Sequence, residues 1–163
     1  MLLVSGCAPM SLELPATGQS AAAEDETVPF PELQPGPELS PAEVVKIQVE
    51  ALQQNDDEDN GIEVTFRFAS PANKQATGPL FRFKEMVKNP TYRAMLNHKL
   101  AEYEAVVVDG DSATQRVTII RQNGEATVFL FSLSRQTLPD CDGCWMTDSV
   151  SLVPTRKQQL QGI

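Results

Sequence analysis

Two hydrophobic rhythms divide the chain between Leu39 and Pro154. In the first half apolar residues recur at helical spacing, and from Lys99 onward they alternate as strands do. Ser40-Pro41-Ala42-Glu43 puts Ser at N-cap, Pro at N1 and Glu at N3, the signature of a capping box. Val44, Ile47, Ala51 and Leu52 follow on one face, with Lys46, Glu50 and Gln53 outward, which predicts a helix stopping near Asn55. Ile62, Val64, Phe66 and Phe68 then alternate with Glu63, Thr65 and Arg67, the period of a half-buried strand. A short helix running into Ser70-Pro71 is the competing reading. Gly78-Pro79 restarts a helix with Leu80, Phe83, Met86 and Val87 on one face, and Asn89-Pro90 ends it. Tyr92, Met95 and Leu96 make one further amphipathic turn.

The strand half reads as a meander. Tyr103–Val108 runs to a turn at Asp109-Gly110-Asp111. Ala113–Arg121 runs to Gln122-Asn123-Gly124, and Asn-Gly between apolar runs is a strong hairpin signal. Ala126–Leu133 is apolar on both faces, as a central strand is when covered on each side, and Cys144–Val153 supplies the last strand. Helices followed by an antiparallel meander predict an α+β domain over residues 39–154, with N-terminal helices packed on a four-stranded antiparallel sheet.

Four stretches of this pattern resemble a known family. Ile47–Asp56 (IQVEALQQND), Phe66–Asn73 (FRFASPAN), Phe83–Val87 (FKEMV) and Gly143–Asp148 (GCWMTD) are similar to the uncharacterised family called domain of unknown function 4864, over about residues 43–153. Phe68-Ala69-Ser70-Pro71 is its most recognisable element. The resemblance implies a cone of the nuclear transport factor 2 type, in which helices close over a curved antiparallel sheet, and it favours the helical reading of residues 62–69. It brings no assigned activity and no catalytic residues.

Charge changes the picture at the N-terminal end. Seven of the 22 acids lie in residues 1–45, where there is no Lys or Arg, so residues 46–163 hold 15 acids against 13 bases. The formal charge of −9 therefore belongs mainly to the leading segment, and no basic patch marks a nucleic-acid partner. Residues 8–38 are Pro-rich and acidic, with Phe30 the lone aromatic. That composition buries too little surface to offset the entropy of ordering, and it predicts a disordered tether. Ahead of it, Val4-Ser5-Gly6-Cys7 resembles a bacterial lipobox with Cys7 as the lipidated residue. Only Leu2, Leu3 and Val4 precede it where a signal needs an apolar region of about 7–15 residues, so residues 1–7 read as a truncated signal peptide. An ordinary ragged N-terminus is the plainer alternative. The lipobox predicts a lipid anchor to the cell envelope; without it the protein is cytoplasmic. The tail 155–163 is polar.

Each candidate for chemistry has a plain structural reading beside it. An EF-hand begun at Asp56 places Glu58, Asn60 and Gly61 suitably but puts Arg67 where the bidentate Glu belongs, so a solvated acidic turn is expected and no metal. Cys141-Asp142-Gly143-Cys144 has CxxC spacing, but it leads into a strand, and Asp140 and Asp142 raise a thiol pKa. Zinc lacks two ligands, since His98 is the one histidine. A disulfide between Cys141 and Cys144 in an oxidising compartment, or two inert thiols, remain. Around a cone cavity the candidates are His98, Tyr92, Tyr103, Arg82, Arg93 and Asp148, with Tyr92, Tyr103, Phe131 and Trp145 expected as lining. No cofactor is expected. The leading functional expectation is a tethered binding or accessory module for a small apolar ligand or a protein partner, with a homodimer through the outer sheet face. A cofactor-free enzyme of isomerase, dehydratase or hydrolase type and a thiol-redox role for the CxxC pair rank after it.

Overall fold

The computed structural model describes residues 32–155; Cys7, most of the expected tether and residues 156–163 lie outside them. The capping box forms as its residue types dictate. The Ser40 N–H donates to Glu43 Oε2 at 2.7 Å, and the Glu43 N–H donates back to Ser40 Oγ at 3.3 Å. Helix α1 (Pro41–Gln53) follows, burying Val44, Val45, Gln48, Val49 and Leu52.

The acidic run Asp56–Asn60 serves the start of the next helix. Asp56 Oδ1 accepts from the Asn60 N–H at 2.9 Å and Asn55 Oδ1 from the Ile62 N–H at 3.1 Å, two of the donors a helix start leaves open. Asp59 pairs with Lys88 at 2.7 Å. Helix α2 (Asn60–Arg67) is therefore the outcome where periodicity alone reads a strand and the family resemblance reads a helix. The period misleads because α2 lies between α1 and α4 (Leu80–Lys88), so Ile62, Val64, Thr65 and Phe68 are all buried and the buried arc is wide. Gly61 sits where α2 crosses α1. A Cβ there would overlap the Ala51 carbonyl, which gives this glycine a packing reason.

Ser70 ends the α2 turn and begins α3 (Pro71–Thr77), its hydroxyl accepting from the Asn73 N–H at 3.2 Å with Pro71 at N1. A 3₁₀ turn, Arg93–Met95, closes the helical half.

The sheet holds five strands, one more than expected: β1 (Leu100–Tyr103), β2 (Val107–Asp109), β3 (Ser112–Ile120), β4 (Ala126–Leu138) and β5 (Cys141–Val153). All pair antiparallel in the order β1-β3-β4-β5, with β2 also on β3. The extra strand is the expected edge strand split in two. Tyr103 pairs with Val117 and Val107 with Thr114, so three residues on the edge face two on β3, a bulge that breaks the ladder. Gln115 holds the break, donating from Nε2 to the Glu104 carbonyl at 2.8 Å. At the β3–β4 turn, Gly124 has φ +84° and the Arg121 N–H donates to the Glu125 carbonyl, so the Asn-Gly signal produces a three-residue loop.

β4 and β5 run longer than expected and meet at Pro139-Asp140, with Leu138 opposite Cys141. Two bulges interrupt β5, one at Gly143-Cys144 (Gly143 φ +85°) and one at Asp148. Phe129, Phe131 and Leu133 from β4 and Ala113, Val117 and Ile119 from β3 join the helices' apolar faces in one core. Beyond β5, the Thr147 N–H donates to the Phe68 carbonyl and the Ser70 N–H to the Thr147 carbonyl, each at 2.9 Å, so the α2–α3 junction pairs with the sheet edge at Ala69. Leu33 packs on the core, and its carbonyl accepts from Arg67 Nη1 at 2.7 Å. Among the described residues the architecture is α+β, four α-helices with an open antiparallel sheet.

Candidate functional site

Between the helices and β4–β5 lies a cavity of about 200 Å³. Leu52, Phe83, Met86, Val87, Met95 and Phe131 make most of its wall apolar. The polar part comes from the α2–α3 junction and the bulged stretch of β5. There Thr147 Oγ1 donates to Gln48 Oε1 at 2.6 Å, and Gln48 Nε2 donates to the Thr65 carbonyl at 3.0 Å. Thr65 Oγ1 in turn donates to the Gly61 carbonyl at 2.9 Å, and Asn73 Nδ2 to the Thr147 carbonyl at 3.0 Å. Gln48, Thr65 and Thr147 are buried, and a buried polar group costs free energy unless so partnered. The network locks the wall in one arrangement.

Of the expected lining residues, Tyr92 and Phe131 are in the wall. The Tyr92 ring stacks on Phe129 with centroids 6.3 Å apart, and its hydroxyl donates to the Val150 carbonyl at 3.1 Å. Tyr103 lies instead on edge strand β1. Although the residue as a whole is exposed, partial burial of its hydroxyl, with the Glu50 carboxylate adding to it, pushes the pKa up to about 12. Trp145 is buried in the core beside Arg135, whose guanidinium carbon is 5.0 Å from the indole ring, and it does not reach the cavity.

Asp148 does line the cavity, and its carboxylate has no hydrogen-bond or ion-pair partner among the described residues. The other candidates are elsewhere. Arg82 is exposed, stacked on Phe81. Arg93 and His98 line a separate polar hollow with Arg121, Gln122 and Asn123. His98 is 4 % exposed, and its Nδ1 meets the Met95 carbonyl at 2.7 Å, which makes Nδ1 the protonated nitrogen and leaves Nε2 without a partner. Burial lowers the His98 pKa, against a smaller rise from the Met95 hydrogen bond.

Cys141 and Cys144 are joined as a disulfide, with Cα atoms 5.6 Å apart. The pair sits at the β4–β5 hairpin, where no helix N-terminus favours a thiolate, and Cys144 is fully buried. Among the described residues no three His, Cys, Asp or Glu side chains come together to hold a metal, and no helix is long and apolar enough to cross a membrane.

Gln48, Asn73 and Thr147 are site residues that sequence reading passed over. Gln48 carried a signal, since it interrupts the Val44–Leu52 core stripe at i, i+4 spacing with a polar side chain.

Compared with known proteins, residues 39–160 match the model of the family described as a domain of unknown function, DUF4864. Neither the curated proteins nor the solved structures give a match.

Proposed function

We propose, from the premise that the chain belongs to the family of domain of unknown function 4864, that it is a binding module taking a small apolar ligand between its helices and its sheet. The observation that carries this is the cavity of about 200 Å³ with its mainly apolar wall and a buried hydrogen-bonded rim. Concave, largely apolar sites with a few placed polar groups are what small ligands occupy. An apolar cavity of about 150 Å³ admits benzene, which sets the size class at a single ring or a short chain. The helices-on-sheet layering supports reading the domain as a cone of the nuclear transport factor 2 type.

The test is hexanol binding followed through the methyl resonances of Met86 and Met95, both in the wall. Saturable shifts are expected, abolished by Ala76→Trp, which fills the mouth from an exposed position. Absence of saturable shifts in the unaltered protein overturns the reading.

The module is held at the cell envelope by lipidated Cys7 through the acidic, Pro-rich segment. Val4-Ser5-Gly6-Cys7 and a disulfide between Cys141 and Cys144 support that location. The intact mass of the natively expressed N-terminus decides it: diacylglyceryl-Cys7 is expected, and an unmodified Met1 in the soluble fraction refutes it.

A cofactor-free enzyme is the second reading, favoured by Asp148 and Tyr92 sharing the cavity. It requires the Tyr92 hydroxyl to leave the Val150 carbonyl, and it stands only if a bound ligand is turned over by the protein and not by Asp148→Asn.

A further inference from the structure

The cavity's charge is more specific than its shape, and an inference from that charge rests on the ligand-binding reading of the same cavity. Asp148 is the one Asp, Glu, Lys, Arg or His in the wall. It occupies an extra position on β5: Ser132 pairs with Ser149 and Leu133 with Thr147, so Asp148 faces no residue of β4. Bulges of this kind re-aim a side chain. No Lys, Arg or His lines the cavity, and the Asp148 carboxylate has no partner among the described residues. The neighbouring polar groups are already satisfied by one another, through Thr147 with Gln48, Gln48 with Thr65, and Asn73 with Thr147. Apart from Asp148 and the exposed Ser149, the wall is apolar or internally hydrogen-bonded.

We propose that the cavity selects a small organic cation, an amine with a short apolar body, whose ammonium group pairs with the Asp148 carboxylate while the body lies against Phe83, Met86 and Phe131. Three physical points lead there. A carboxylate with no partner in the protein is met best by a cationic donor, because charge-assisted hydrogen bonds are the strong ones. A metal ion does not fit, because calcium takes six to eight oxygen ligands and no second carboxylate lines the wall. An alkylammonium does fit, since its head forms a charge-assisted hydrogen bond with the carboxylate and its body lies on the apolar wall.

Hexylamine, hexanol and hexanoate present the same body with positive, neutral and negative heads. Titrated into the full chain and followed at the Met86 and Met95 methyl groups, hexylamine is expected to bind about tenfold or more tightly than hexanol, the order of gain a desolvated charge pair gives. Hexanoate is expected to bind weakest. In Asp148→Asn the ratio of hexylamine to hexanol affinity is expected to fall to about one. Equal affinities for the three probes in the unaltered protein overturn the charge selection, as does an Asp148→Asn protein that keeps the amine preference. Both results leave the apolar-ligand reading standing as long as hexanol binds. If none of the three binds, the cavity reading itself fails and the cation proposal falls with it.

Discussion

At the β5 edge of the sheet, the backbone of Thr147 exchanges hydrogen bonds with Phe68 and Ser70, and Gln48, Thr65, Ser70 and Thr147, all buried, each have a partner. At the other edge, β1 and β2 share β3 with a bulge between them. There Leu100, Tyr103, Val107 and Val108 are exposed, and the two buried side-chain atoms without a partner among the described residues, His98 Nε2 and Gln115 Oε1, lie on that side. Both edges avoid presenting a long open ladder. One is covered by a segment of the helical layer, and that junction brings the cavity's polar rim with it. The other is kept short and broken, which limits pairing with another chain. Covering an edge from the helical layer ties helix positions to strand positions, and that coupling is what a binding wall needs.

The largest effect is expected where that tie is hydrophobic. Phe68 is fully buried at the junction, and Phe68→Ala should cost about 3–5 kcal/mol through lost burial and an unfilled cavity. A domain of this size has only about 5–15 kcal/mol in total. The matching truncation at the open edge, Val107→Ala at a 64 % exposed position, should stay within about 0.5 kcal/mol. Urea unfolding of both variants measures the contrast, and comparable losses would erase the distinction between the edges.

A polar deletion at the junction should come second. Thr147→Val keeps the shape but leaves buried Gln48 Oε1 without its donor, which should cost about 1–3 kcal/mol. Because the same bond fixes the cavity rim, hexanol binding should weaken as well. A variant with unchanged unfolding midpoint and unchanged binding would show that the network is incidental to the wall.

The junction was half legible in the sequence. The Ser40–Glu43 box and the Gly110 and Asn123-Gly124 turns follow from local chemistry, because each depends on residues within four positions of one another. Phe68-Ala69-Ser70-Pro71 stood out only by family resemblance. Its role depends on Thr147, far along the chain, so no local period could display it. The same holds for α2, whose alternating apolar residues follow strand spacing until α1 and α4 bury two sides of it. Of the four aromatic residues expected as lining, Tyr92 and Phe131 line the pocket, while Tyr103 and Trp145 lie elsewhere. Aromatic character marks burial without saying which side of a sheet or which end of a strand a residue occupies, and the bulges in β5 change that assignment along a single strand.

The smallest effect belongs to the open edge and should depend on pH. His98 precedes β1, its Nδ1–H is held by the Met95 carbonyl, and burial sets its pKa in the folded protein below the ordinary 6.5. Between those two values the unfolded chain binds more protons than the folded one. Stability therefore falls as pH drops through about 6.5 and levels off below the folded pKa. In His98→Phe that step should vanish, while the carboxylates, which titrate at lower pH, contribute alike to both proteins. Urea unfolding at intervals from pH 8 to pH 5 separates the two profiles, and parallel profiles would mean that His98 keeps the same pKa folded and unfolded. The Thr147→Val loss should be constant over this range, because Gln48, Thr65, Asn73 and Thr147 do not titrate. A pH-sensitive loss there would couple the two edges, whereas a constant one leaves proton uptake at the edge that carries the orphaned buried groups.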